Sequence, residues 1–174
     1  VMSRSIYCRF ALSLAAILFA AAPALAEEVK VTLLLTNDIY KLDGAGIRML
    51  QKAGITVGWI TGRSSPAVEH RARNLGITHL AQGVSDKHTV YTTWLAEAGM
   101  DFTQAGFMGD DLIDLAVMKA CAFSAAPANA VTIVREQATL VTTERGGDGA
   151  VRAVCEHILK AQNKLDAFLN SGIH

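Results

Sequence analysis

The stretch Ala105 to Met118, AGFMGDDLIDLAVM, decides the fold. Its first four residues are apolar, Gly109-Asp110-Asp111 follows, and the remainder has a helical pattern with Asp114 one turn on. That pattern reads as a buried strand running into a helix, with a glycine and two carboxylates at the junction. Carboxylate oxygens placed there can ligate a hard cation such as Mg2+. The competing structural reading has Asp111 cap the helix and Asp114 complement the dipole of its first turn.

Working outward, the same unit recurs upstream. Val29 to Leu35 (VKVTLLL) is β-branched and apolar, a buried strand by composition, with Thr36-Asn37-Asp38 at its carboxyl end. Ile47 to Ala53 reads as a short helix with Ile47, Leu50 and Ala53 on one face, closed by Gly54. Ile55 to Ile60 is a second buried strand, followed by Thr61-Gly62-Arg63-Ser64-Ser65-Pro66, where Ser65 can cap a helix that has Pro66 at its first position and reaches Leu75. A third strand (Ile77 to Ala81) and a helix (Asp86 to Ala98) lead to the opening stretch. Beyond it come weak strands at Ala122 to Ala125 and Ala138 to Val141, then one long helix from Gly149 to Phe168.

Strands alternating with helices imply right-handed crossovers and an α/β fold with a doubly wound parallel sheet. Ligands of such sheets bind outside the carboxyl ends of the strands. Three polar clusters fall there: Asn37-Asp38, Thr61-Gly62-Arg63 and Asp110-Asp111. Capping accounts for one of them, but not for three on one edge.

At 174 residues the chain fits one domain, and 51% hydrophobic against 18% charged residues excludes a disordered chain. Sixteen basic residues balance 16 acidic ones without any basic run, so no nucleic acid partner is expected. Cys8 lies in the N-terminal segment, and Cys121 and Cys155 sit in apolar surroundings without CxxC spacing, which predicts reduced core thiols. The five histidines form neither an HxH nor an HExxH pair, so a zinc site is not expected. Residues 1–26 have a basic start (Arg4, Arg9), an apolar run (Phe10 to Ala22) and small residues at Ala24-Leu25-Ala26. They read as a secretory signal ending before Glu27, with export to the periplasm as the corollary and residues 27–174 as the single domain.

A carboxylate after the first strand, a hydroxyl after the second, a lysine before a later helix and a carboxylate pair after the fourth can carry out phosphoryl transfer. The first carboxylate attacks phosphorus, the hydroxyl and the lysine hold the transferring oxygens, and the acidic pair holds Mg2+. This is a haloacid-dehalogenase type of arrangement.

From Asp43 to Lys164 the chain further resembles the 3-deoxy-D-manno-octulosonate 8-phosphate phosphatases, which lack a cap domain and serve lipopolysaccharide sugar synthesis. The resemblance is carried by DGAGIR (Asp43 to Arg48), ITGRSS (Ile60 to Ser65), Glu69-His70-Arg71, LGITHLAQGVSDK (Leu75 to Lys87), GDDLIDLAVM (Gly109 to Met118), GGDGAVRAVCE (Gly146 to Glu156) and LKAQNKLD (Leu159 to Asp166). It implies that Arg48, Arg63, Arg71 and Lys87 contact a phosphorylated sugar acid and that Asp43 and Gly44 line the site. It also implies that Thr61 binds phosphate, that Asp110 ligates Mg2+, and that the chain is capless, cytoplasmic and homo-oligomeric. Guanidinium forks suit a substrate with both a carboxylate and a phosphate.

The first motif departs from the family pattern of two aspartates separated by one residue. In LLLTNDIYKLDGAGI, Asp38 is the best available nucleophile and first metal ligand, and Tyr40 stands at its partner position; one register earlier the pair is Asn37 and Ile39. Tyrosine, with a reference pKa of about 10, is a poor acid/base at neutral pH, so impaired turnover is expected. Asp38 is followed almost at once by Asp43-Gly44, where the family has a hairpin that packs subunits into tetramers, so the tetramer is in question. VTLLLTNDIY after a secretory signal is similar to the opening of exported 5′-nucleotidase-type metallophosphoesterases. An inactive exported sugar-phosphate-binding module and a non-functional gene fusion are therefore the alternatives to a working phosphatase.

Overall fold

The computed structural model describes residues 32–35 and 41–171. The first strand, β1, is described over Thr32–Leu35; Val29 to Val31 of the expected strand lie outside the described residues, as do residues 1–26. There follow α1 (Lys41–Lys52), β2 (Val57–Ile60), α2 (Pro66–Asn74), β3 (His79–Ala81), α3 (Lys87–Glu97) and β4 (Ala105–Met108). The second half comprises α4 (Leu115–Ala120), β5 (Phe123–Ala126), α5 (Thr132–Gln137), β6 (Leu140–Val141), α6 (Ala150–Ala161) and α7 (Leu165–Ser171).

All six strands are parallel, in the order β3-β2-β1-β4-β5-β6. The order grows leftward from β1 to β3 and then restarts rightward at β4. Crossover loops on the two sides of β1 and β4 therefore diverge, and the crevice between them at the carboxyl edge is where such sheets bind ligands. Asp110, two residues beyond β4, stands at that switch point.

Strand alternation sends successive side chains to opposite faces, and each face has its own core. Val57, Trp59, Met108 and Ala125 pack with Ile47, Leu50, Leu75, Val154 and Leu159 from α1, the end of α2 and α6. Ile60, Phe107 and Ala126 pack with Tyr91, Leu95, Val117 and Val134 from α3, α4 and α5. Full burial of each large apolar side chain stabilises by about 1.5–3 kcal/mol.

Helix α1 starts at Lys41, six residues before the periodic pattern suggested. Gly44 and Gly46 argue against helix by propensity, each by about 1 kcal/mol, but both are needed for packing. A methyl group on Gly46 would lie 3.0 Å from both Arg152 Cδ and Cys155 Cβ of α6, so the two helices meet where α1 has no side chain. Asp43 is wholly buried in the same contact, and its Oδ1 accepts from Arg152 N at 3.2 Å. It thus serves the first turn of α6, whose N-cap is Gly149 and has no side chain for the purpose.

The expected long C-terminal helix is two helices. Asn163 adopts a φ of 56°, and the chain turns between α6 and α7. The helix α5 was not expected, because TIVREQ is rich in β-branched residues. Among the described residues no helix is long and apolar enough to cross a membrane, and no connection between elements is long enough to fold as a cap.

Candidate active site

The loop after β4 is shaped by Asp114. Its carboxylate folds back, and Oδ2 accepts from the backbone N–H groups of Asp110 at 3.0 Å and Asp111 at 3.2 Å. Gly109 is required by this arrangement: a Cβ there would fall 2.4 Å from Asp114 Cβ and 2.8 Å from its Cγ. The other oxygen, Oδ1, accepts from Lys87 Nζ at 2.6 Å. Lys87 is 3% exposed and Asp114 0%, so the pair is an ion pair enclosed by protein. Such a pair persists because each charge is compensated, here with two amides completing the carboxylate.

Asp111 does cap, as the structural reading had it: its Oδ1 accepts from Leu112 N at 2.7 Å and opens a 3-10 turn (Leu112–Asp114) ahead of α4. Asp114 does far more than complement a dipole. Asp111 is committed to the cap and Asp114 to Lys87, and the half-buried Asp110 stands in the same loop with carboxylate oxygens of the kind a hard cation takes. Among the described residues no three His, Cys, Asp or Glu side chains gather as a metal site. Asp38, Asn37 and Tyr40, expected at the end of β1, lie outside the described residues.

Thr61 is buried at the end of β2. Its N–H donates to Ala81 O at 2.9 Å, its carbonyl accepts from Val84 N at 3.1 Å, and its Oγ1 accepts from Arg63 N at 3.2 Å. The loops after β2 and β3 are thereby tied together, and the second runs on to Lys87 at the start of α3. Arg63 is exposed in the first loop.

The remaining candidates lie toward α1 and α2. Gly44 is where Arg71 passes: a methyl there would sit 2.8 Å from Arg71 Nη2. Asp43 is beside them in sequence but is buried against α6. Arg48 stands apart, its Nη2 donating to Asn74 O at 3.4 Å. Asn74 is the last residue of α2, about 13 Å of helix rise from the Arg63 end. Lys87, Asp110 and Asp114 are thus brought together after β4, Thr61 and Arg63 stand after β2 at the same edge of the sheet, and Arg48 bonds to the end of α2. Asp114 is the residue that sequence reasoning passed over as a dipole effect. The signal was Gly109, whose missing side chain makes room for a carboxylate folding back, together with a lysine in need of a buried counter-charge.

No family model matches the chain. It is 48% identical over 124 residues to the 3-deoxy-D-manno-octulosonate 8-phosphate phosphatase of Yersinia pestis, covering 71% of this chain and 66% of that protein. The fold superposes on a probable YrbI family phosphatase from Pseudomonas syringae with a TM-score of 0.79 at 37% identity, covering 83% of this chain and 93% of the other. The chain belongs to the 3-deoxy-D-manno-octulosonate 8-phosphate phosphatase family. A member from Moraxella catarrhalis, in complex with magnesium, phosphate and KDO, superposes with a TM-score of 0.77 at 36% identity, covering 82% of this chain and 92% of the other. The sheet is accordingly the haloacid-dehalogenase type of α/β fold. In sequence the chain spans 66% of the length of the curated family members it matches.

Proposed function

We propose that the chain is a Mg2+-dependent phosphomonoesterase acting on 3-deoxy-D-manno-octulosonate 8-phosphate in lipopolysaccharide sugar synthesis. The observation that carries this reading is the buried Lys87–Asp114 pair beside Asp110 at the switch point of the sheet. An ammonium fixed at a strand edge can hold a phosphoryl oxygen, and Thr61 offers a hydroxyl at the neighbouring strand end. Asp38 is the proposed nucleophile. Its carboxylate oxygen bonds to phosphorus as the sugar oxygen leaves, and water then releases inorganic phosphate. The donor set of Asp110 and Asp38 is all oxygen, which fits Mg2+, and that ion supplies neutralising charge at the phosphate.

Arg63 and Arg71 are proposed to bind the sugar-acid carboxylate and phosphate as planar forks. Gly44 lines the site by letting Arg71 pass, while the wholly buried Asp43 supports it by fixing the start of α6. Arg48, whose Nη2 is bonded to Asn74 O, is proposed to add its remaining N–H donors to the same substrate. Residues 1–26 are proposed as an export signal, whereas synthesis of a lipopolysaccharide sugar belongs in the cytoplasm. Self-association typical of the family completes the proposal.

Calorimetric titration with Mg2+ in the presence of inorganic phosphate tests the metal assignment. Binding by the full chain, weakened at least about tenfold by Asp110→Asn, is the expected result, a loss of one charged ligand. Equal binding by both proteins would remove Asp110 from the metal site.

A further inference from the structure

Gln82, in the loop after β3, reaches across to the loop after β2. Its Oε1 accepts from Ser65 N at 2.8 Å, across 17 residues of sequence. Backbone bonds hold the same loop at Thr61, through Ala81 O and Val84 N, and at Arg63, whose carbonyl accepts from Gly83 N at 3.2 Å. Ser65 is the N-cap of α2, its Oγ accepting from Ala67 N at 3.2 Å. The two loops also touch directly: a Cβ on Gly83, where φ is 67°, would lie 2.9 Å from Ser64 Oγ. Of these ties between the loops, Gln82 alone is a side-chain bond, and it closes the far end of the segment that carries the exposed Arg63.

We propose that Gln82 is a positioning residue that fixes the Arg63 loop for binding the anionic groups of the substrate. The proposal rests on the functional reading above. Without Gln82 the loop keeps its anchors at Thr61 and Arg63 O but loses the one at Ser65, so the Arg63 guanidinium samples more positions and binds an anion more weakly. Lys87, five residues beyond Gln82 in the same connection, is held separately by Asp114. The loss is therefore one of affinity rather than of the chemical step.

The test uses the full chain in two measurements. In amide hydrogen exchange, Gln82→Met speeds exchange at Ser65 by about fivefold or more, while Gln82→Glu, which keeps an acceptor for that N–H, restores protection. In calorimetric titration with 3-deoxy-D-manno-octulosonate 8-phosphate, Gln82→Met weakens binding about five- to tenfold, and in an Arg63→Ala background it weakens binding no further. Unchanged exchange at Ser65, or an equal loss with and without Arg63, overturns the proposal. If the unsubstituted chain binds none of this ligand, the substrate reading falls. The exchange measurement then still decides whether Gln82 fixes the loop.

Discussion

Truncating Asp114 to alanine leaves the Lys87 ammonium buried without its counter-charge and two loop amides without their acceptor. The expected cost is about 3–5 kcal/mol, read as a shift of the urea unfolding midpoint. The double variant Lys87→Met/Asp114→Leu regains the part owed to the uncompensated ammonium but not the part owed to the two amides, and it does not regain activity, because two matched apolar groups replace the pair but cannot hold an oxyanion. An Asp114→Ala chain within about 0.5 kcal/mol of the original would contradict the clamp. The positions of Thr61 and Asp110 after strand ends and of Lys87 at the start of a helix were legible in the sequence from the apolar runs and caps around them. The partnership of Asp114 with Lys87 was not, since 27 residues separate them and only the folded sheet brings them together. The thiols conform to their sequence reading: Cys155 is buried and Cys121 partly so, and burial raises both, Cys121 to about 12. Both stay protonated and unreactive near neutral pH.

At the scale of elements, the start of α3 determines where Lys87 sits. Asp86 is its N-cap, accepting from Thr89 Oγ1 at 2.6 Å and from Thr89 N at 3.1 Å. These hydrogen bonds, the side-chain one first, hold its carboxyl below the ordinary value of 3.8. A depressed folded-state pKa means that the cap's contribution is present above the unfolded value and is lost as pH falls through the folded one. Amide protection in the first turn of α3, taken relative to intrinsic exchange at each pH, is therefore expected to fall as the pH drops below about 4, and Asp86→Asn should remove that dependence. A dependence that survives in Asp86→Asn would assign it to another carboxylate. The strands were legible from their apolar runs, and α2 and α3 from their caps. Helix α1 was read too short because Gly44 and Gly46 weaken the local signal, whereas contact with Arg71 and α6 requires them. The break at Asn163 was missed because the apolar periodicity continues through it.

The whole molecule is a sheet whose strand order places one crevice at the carboxyl ends of β1 and β4. Alternating strands and helices sufficed to predict that edge, and the polar clusters after β2 and β4 stand on it, while Asn37-Asp38 lies outside the described residues. Their spacing along the chain did not tell that Arg48 bonds to the last residue of α2 or that Arg71 passes against Gly44, since both contacts join helices that only the folded sheet brings together. The proposed reaction transfers a phosphoryl group at this edge to the Asp38 carboxylate. The most direct measurement is release of inorganic phosphate from 3-deoxy-D-manno-octulosonate 8-phosphate by the full chain, with and without Mg2+, beside Asp38→Asn. Mg2+-dependent release that the substitution abolishes is the predicted result. No release, or equal release by the Asp38→Asn chain, would contradict it.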